Sequence, residues 1–140
     1  MSKLVHSLIV LAGLLPALAG AAPVRIFVAG AAKAGVQALL PGFERAGGDS
    51  VEASYDTAGA LRDRVLAGER PDLIILSDAA VDAIAAHGLS ASGGLPAPYD
   101  LRTPYAIVVL GASEPGRRLM RYLDTAAARA QFEASGFAAR

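Results

Sequence analysis

The segment from residue 51 to residue 82 contains the same strand, turn and helix pattern twice in succession. Residues 51–55 include β-branched and aromatic side chains, and residues 73–76 form a continuous apolar run, which are both patterns typical of strands. Between them, apolar residues recur at helical spacing, namely Leu61, Val65 and Leu66. Because strands alternate with helices, the segment predicts a parallel α/β unit.

The same order begins earlier, with a buried strand predicted over residues 24–29. A helix follows, whose apolar stripe consists of Val36, Leu39, Leu40 and Phe43. We expect Pro41 to kink or shorten this helix and Gly47 with Gly48 to end it. The repeated pattern predicts an α/β fold with three layers, in which helices cover both faces of an open, mostly parallel sheet.

Each of these three strands is followed by small residues that open the next helix. Neither a Walker A loop nor a three-glycine dinucleotide fingerprint is present there. The carboxyl ends of neighbouring parallel strands share one edge, where unpaired backbone N–H groups are available to a ligand. The ligand-binding residues predicted on this basis are Gly30, Ala31, Ala32, Thr57, Ala58, Gly59, Ser77 and Asp78.

The same polar residues also have a structural interpretation. Thr57 and Asp78 are common helix N-cap types, and such a cap contributes about 1 kcal/mol. Three carboxylates, those of Asp56, Asp78 and Asp82, are expected near this edge, so a carboxylate-based hydrolase is a minor alternative. His87 is expected to be a helix-terminal or surface residue.

The amino-terminal 21 residues have the features of a secretory signal peptide. One lysine precedes an apolar run shorter than a membrane span, and small residues follow it. The sequence therefore predicts export to the periplasm. Cysteine is absent, which excludes disulfides and thiolate metal sites, and no cofactor is predicted. The basic residues are scattered, so no nucleic-acid partner is expected.

The carboxyl-terminal part repeats the pattern less regularly. The third helix is expected to bury Val81, Ile84 and Ala85, and residues 90–104 have no periodicity and predict an irregular connection. A strand is predicted over residues 105–110, followed by a helix with Leu119, Tyr122 and Leu123 on its buried face. Thr125 is expected to cap a last helix, which carries Phe132 and ends at Gly136 before Phe137 folds back.

Several of these segments together resemble a known family. The segments are VRIFVAGAA (24–32), PGFERAGG (41–48), YDTAGALRDRV (55–65), AGERPDLIILSDAA (67–80), HGL (87–89), TPYAIVVL (103–110) and RYLDTAAARAQFEASGF (121–137). They are similar to the periplasmic substrate-binding proteins of molybdate-type ABC importers. The resemblance implies one lobe of a periplasmic-binding-protein fold, residues 22–140, with residues 90–104 in place of most of a second lobe.

The resemblance also implies how a ligand is held. The family binds oxyanions through hydroxyls and backbone N–H groups of the first-lobe turns, which correspond to the eight residues named above. Asp56 and Asp78 would oppose a doubly charged anion by about 1–4 kcal/mol each at ~4 Å, and Lys33 would offset part of this repulsion. Other small anionic or polar solutes are therefore equally compatible with these turns.

Three functions follow as alternatives. The first is an extracytoplasmic solute-binding protein that serves an ABC transporter permease, with weak binding because one wall of the cleft is missing. The second is a secreted partner-binding or structural domain, with a homodimer formed through the face that the missing lobe would leave exposed. The third is the hydrolase based on Asp56 and Asp78.

Overall fold

A computed structural model describes residues 21–47, 49–89, 91–95 and 104–137, without the side chains of residues 91–95. In this part of the chain five strands form one sheet. They are β1 (Val24–Ala29), β2 (Val51–Asp56), β3 (Leu73–Ser77), β4 (Ala91–Leu95) and β5 (Tyr105–Leu110). The predicted signal peptide lies outside the described residues, apart from Ala21.

The sheet is open, and its strand order is β2-β1-β3-β5-β4. β1 pairs in parallel with both β2 and β3, whereas β5 is antiparallel to β3 and to β4. Four strands therefore run in one direction and β5 runs in the other, which confirms the mostly parallel α/β fold. Because Tyr105 pairs with Ser77, β5 begins at the edge where β1, β2 and β3 end.

Helices cover both faces of the sheet, as predicted. The helices are α1 (Lys33–Gly47), α2 (Ala58–Leu66), α3 (Asp78–Ala86), α4 (Glu114–Leu123) and α5 (Ala126–Ala134). Successive strand residues point to opposite faces. Accordingly, Val24, Ile26 and Val28 pack with α1, α4 and α5 in one core, whereas Phe27 and Ala29 pack with α2 and α3 in a second core.

The first helix runs through Pro41, so the proline does not shorten it, and of the two predicted effects the kink stays a prediction. Pro41 is exposed, while Val36, Leu39 and Phe43 on the opposite side are buried. The ring therefore lies away from the packed face, and Gln37, whose carbonyl loses its helical donor, is also exposed. The helix ends at Gly47, as expected.

The segment predicted to be an irregular connection contains a strand. Residues 91–95 form β4, in which Ala91 pairs with Leu110 and Leu95 with Ile107. An irregularity separates Ala91 from Gly94, consistent with the two glycines in this strand. The prediction failed because the segment has little intrinsic strand propensity, and pairing with β5 decides its conformation. Residues 90 and 96–103 lie outside the described residues.

The predictions for α3 and α5 are largely confirmed. Ala80 and Ile84 are buried on α3, but Ala85 is exposed, so its predicted place on the inner face is wrong. Gly136 has φ +95°, which suits glycine, and ends α5. Phe137 then returns to the core, edge-on to Phe132 with ring centroids 5.7 Å apart.

Candidate functional site

An open pocket of about 510 Å³ lies at the carboxyl edge of the parallel strands. Its lining comes from the end of β1, the end of β2 and the start of β5. It consists of residues 29–31, residues 56–58 and Tyr105. A volume of this size is within the range of small-molecule sites.

The structure brings half of the predicted ligand-binding residues together in this pocket. Gly30, Ala31, Thr57 and Ala58 line it, whereas Gly59, Ser77 and Asp78 do not. Ala32 has no exposed surface and belongs to the hydrophobic core, because the turn after β1 directs it inward. Contact between these residues and a ligand remains a prediction.

The turn after β1 is a single 3-10 turn, Gly30–Ala32. Its Ala29 N-cap makes no side-chain cap hydrogen bond, and the Lys33 N–H closes the turn on the Gly30 carbonyl. Gly30 and Ala31 are both exposed. A Cβ built on Gly30 would lie 3.8 Å from the Asp56 carbonyl oxygen, so this turn approaches the end of β2 closely.

The turn after β2 is organised by two short side chains. The Thr57 hydroxyl oxygen accepts the Ala60 N–H at 3.2 Å, which confirms the predicted N-cap of α2. The Thr57 N–H itself donates to Asp56 Oδ1 at 2.7 Å. The N–H groups of Ala58 and Gly59 lie in the first helical turn, where no carbonyl four residues earlier is in helical position to accept them. Of these two residues only Ala58 lines the pocket, so its N–H is the donor that α2 offers there.

The turn after β3 is closed by another part of the chain. The Asp78 N–H donates to the Pro104 carbonyl at 3.0 Å, just before β5 begins. Asp78 is the first residue of α3 and not its N-cap, so that prediction is wrong; Ser77 is the N-cap and makes no side-chain cap hydrogen bond. The Asp78 N–H is therefore already satisfied within the protein.

Among the described residues that line this pocket, Asp56 is the one carboxylate, and none is a lysine or an arginine. Two cations lie near the end of β2. Lys33 Nζ is 5.5 Å from the centroid of the Tyr55 ring, a cation–π contact. Arg64 binds Glu69 through two hydrogen bonds of 2.7 and 2.8 Å. Neither cation lines the pocket with Asp56.

The pKa shifts around this edge have identifiable causes. Burial raises the pKa of the Tyr55 phenol. The pKa of Arg64 is raised, first by its hydrogen bond to Glu69 and to a smaller extent by the charges of Glu69 and Asp56. The reciprocal hydrogen bond from Arg64 lowers the pKa of the Glu69 carboxyl. The arginine is thus held by Glu69 first, and Asp56 acts on it only at longer range.

Besides Ala29, Tyr105 is the described lining residue that sequence reasoning did not single out. It is half-buried and stands edge-on to Phe137, with ring centroids 6.1 Å apart. Its place in the pocket follows from the antiparallel direction of β5, which puts the first residue of that strand beside the last residue of β3. A single sequence contains no local signal for that direction.

A second pocket, of about 340 Å³, lies at the opposite edge of the sheet beside Asp72, Leu89 and Leu110. The Asp72 carboxylate accepts the Arg25 N–H at 2.8 Å and the Ser113 hydroxyl at 2.6 Å. Its oxygens hold β1, β3 and the start of α4 together. We therefore regard Asp72 as a structural residue.

The described residues contain no cluster of three histidine, cysteine or acidic side chains that could hold a metal ion. Asp78 and Asp82 do not line the pocket with Asp56, so the carboxylates named for a hydrolase do not share it.

The His87 Nδ1 is 2.8 Å from the Ala83 carbonyl at the end of α3, in the helix-terminal position expected from the sequence. No helix among the described residues has the length and apolar character needed to cross a membrane.

Comparison with known proteins adds a family and a fold. A family model described as "Bacterial extracellular solute-binding protein" matches residues 24–107. Sixteen solved chains match significantly. One is the substrate binding domain assigned to a molybdenum ABC transporter from Clostridium difficile, with a TM-score of 0.74 at 10% identity. The match covers 84% of this chain and 99% of that one. No match to a curated protein accompanies these findings.

Proposed function

Because this chain belongs to the bacterial extracellular solute-binding protein family, we propose that it is the extracytoplasmic solute-binding component of an ABC importer. Proteins of such a family typically bind solutes and do not transform them. We infer that a transporter permease is its partner and that it acts in the periplasm after removal of the predicted signal peptide.

The observation that carries this proposal is the pocket at the carboxyl edge of β1 and β2. Open α/β sheets bind ligands at this edge. Gly30 and Ala31 present backbone at one side of the pocket, and the first turn of α2 faces it from the other. The absence of bulky side chains among these residues leaves the backbone accessible to a small solute.

We infer that the solute has an anionic group. The N–H group of Ala58, which lines the pocket, and the positive end of the α2 dipole favour negative charge. Molybdate is the first candidate, since a solved domain with this fold is assigned to a molybdenum transporter. Because the pocket is open and has a single wall, we expect weak binding, on the order of millimolar.

The test is a thermal-shift titration of the purified chain with molybdate, tungstate, sulfate, phosphate and small carboxylates. A solute at ten times its Kd stabilises the native state by about 1.4 kcal/mol, which is about 6 °C in a protein of this size. The variant Ala31→Phe fills the pocket and should abolish the shift. Ala127→Phe, at an exposed position on α5, should leave the shift intact.

A second function is favoured by the openness of the same pocket. A second copy of the chain that covers it would supply the missing wall, and the protein would then be a homodimeric partner-binding domain. Sedimentation analysis at rising protein concentration distinguishes the two functions. A dimer that Ala31→Phe disrupts and Ala127→Phe does not would support this second function, while a strict monomer would contradict it.

A further inference from the structure

β2 is an edge strand of the sheet, with β1 on one side and, among the described residues, no strand on the other. It pairs with β1 in continuous parallel register, from Val51 beside Val24 to Asp56 beside Ala29. It contains neither a bulge nor a proline, two of the features by which proteins protect such an edge. Its outer side therefore lacks these two barriers to pairing with another strand.

The hydrogen bonds at the start of β2 show which of its backbone groups point outward. The Ser50 carbonyl accepts an N–H from β1 at 2.8 Å. The N–H of the same peptide, that of Val51, points the opposite way and donates to Glu44 Oε1 at 2.8 Å. Because successive strand residues direct their backbone groups to opposite sides, the N–H and C=O groups of Ala53 and Tyr55 also point outward.

The open part of this edge has defined ends. The first outward N–H of β2 is held by Glu44, and the next one after Tyr55 is that of Thr57, which donates to the neighbouring carboxylate at 2.7 Å. In the part of the chain that the structure describes, the outward N–H and C=O groups of Ala53 and Tyr55 have no hydrogen-bond partner. These four groups fit a short added strand that faces residues 52–56.

Two carboxylates, those of Glu52 and Asp56, lie on one face of this open edge, with Ser54 between them. Both residues are exposed. Within the described residues neither forms an ion pair, and Arg25, which lies beside Glu52 on β1, contacts Glu69 at 3.6 Å instead. An added strand therefore meets two negative charges that have no ion-pair partner.

These charges disfavour pairing of the edge with a second copy of itself. Antiparallel pairing centred on Ser54 is the register that uses all four open backbone groups, because it sets Ala53 opposite Tyr55. The same register sets Glu52 opposite Asp56 of the other copy, twice, and like charges in directly opposed positions are destabilising. A strand with basic side chains in those positions is attracted instead.

We propose that the outer side of β2 binds an extended segment of a partner protein that carries two basic residues, spaced as Glu52 and Asp56 are, with a small residue midway. The backbone groups of Ala53 and Tyr55 hold the segment by strand addition, and the two carboxylates select its charge. This interaction goes beyond solute binding and does not depend on it.

The probes are two capped peptides, Lys-Val-Thr-Val-Lys and Glu-Val-Thr-Val-Glu, which are titrated into the isotope-labelled chain and followed by NMR. We expect the lysine peptide to bind at least about tenfold more tightly, because both opposed charge pairs change from repulsive to attractive. Its binding should shift the amide signals of β2 and slow hydrogen exchange at Ala53 and Tyr55.

Three variants test the contacts separately. Ala53→Pro removes one outward N–H and leaves the pairing with β1 intact, so it should abolish binding of the lysine peptide. Glu52→Lys should weaken binding of that peptide by about two- to thirtyfold and strengthen binding of the glutamate peptide. Asp82→Lys is the matched control, with the same charge change at an exposed position on α3, and should change neither affinity.

Glu52→Lys also makes the edge complementary to itself. The new ammonium group faces Asp56 of the other copy in both halves of the register centred on Ser54. Sedimentation analysis should therefore show stronger self-association of Glu52→Lys than of the unmodified chain or Asp82→Lys. Addition of Ala53→Pro to Glu52→Lys should remove this association.

The proposal is overturned by equal affinity for the two peptides, or by a lysine peptide that leaves the Ala53 and Tyr55 amides unchanged at millimolar concentration. Binding that Ala53→Pro does not weaken would also contradict it. If Glu52→Lys folds and associates no more than Asp82→Lys, the outer side of β2 does not accept a strand. The thermal-shift titration with solutes is independent of all these outcomes, so the proposed function stands or fails separately.

Discussion

Replacement of Gly116 by alanine should destabilise this protein, although the same change in a helix usually stabilises. Gly116 is buried in the first turn of α4. A Cβ built there would lie 2.6 Å from the Asp72 backbone oxygen and 3.1 Å from the Ser113 hydroxyl. The nearest obstacle is backbone, so a change of side-chain rotamer cannot remove it.

The carbonyl that would be displaced is already engaged. The Asp72 oxygen accepts the Leu110 N–H at 3.1 Å, and the Asp72 carboxylate accepts the Ser113 hydroxyl at 2.6 Å. Overpacking in a core costs about 1–3 kcal/mol, and the helix propensity of alanine returns at most about 1 kcal/mol. We expect a net loss of about 1–2 kcal/mol, or about 4–8 °C in Tm.

Gly59→Ala is the matched control. Gly59 is in the first turn of α2, and the nearest atom to a Cβ there is Arg62 Nη2 at 4.0 Å. The substitution should be neutral or stabilise by about 0.5 kcal/mol. The assay is urea unfolding of both variants beside the unmodified chain, followed by circular dichroism. If Gly116→Ala is as stable as the unmodified chain, α4 does not pack against Asp72 as described.

Two further predictions concern the helix termini and the acid range. Thr57→Ala should cost about 1 kcal/mol of stability through loss of the α2 cap. Thr125→Ala should cost more in the same urea assay, because the Thr125 hydroxyl caps α5 and also donates to the Tyr122 carbonyl at 2.8 Å. Equal losses in the two variants would contradict this prediction. The lowered pKa of Glu69 contributes stability that is present above its ordinary value of 4.5 and is lost as the pH falls through the lowered value. Arg64→Gln should return the Glu69 pKa toward 4.5 in a carbon-detected NMR titration, Arg62→Gln should not, and an unchanged Glu69 curve in Arg64→Gln would refute the assignment.

Thr57 both caps α2 and lines the pocket, so a substitution there changes stability as well as any contact with a ligand. Its hydroxyl oxygen already caps α2, so loss of ligand binding in Thr57→Ala alone would be ambiguous. Thr125 caps a helix of the same length with the same 3.2 Å hydrogen bond, away from the pocket. Comparison of the two alanine variants separates the contribution of Thr57 to a ligand from its contribution to folding.

Local patterns in the sequence determined the elements of this fold. The apolar runs locate β1, β2, β3 and β5, and the helical stripes locate the buried faces of α1 and α4. The small residues after β1 and β2 indicated where backbone would be open to a ligand. These predictions succeeded because strand and helix periodicities depend on neighbouring residues and on which face is buried.

The tertiary structure alone decided the composition of the pocket. Pairing with β5 makes a strand of residues 91–95, and the antiparallel direction of β5 places Tyr105 beside Ser77, at the edge where the pocket lies. The Pro104 carbonyl, distant in sequence, occupies the Asp78 N–H and closes the third predicted turn. Each of these contacts joins residues more than ten positions apart in the chain. Neither residue propensity nor periodicity encodes such pairings, because both depend only on near neighbours in sequence.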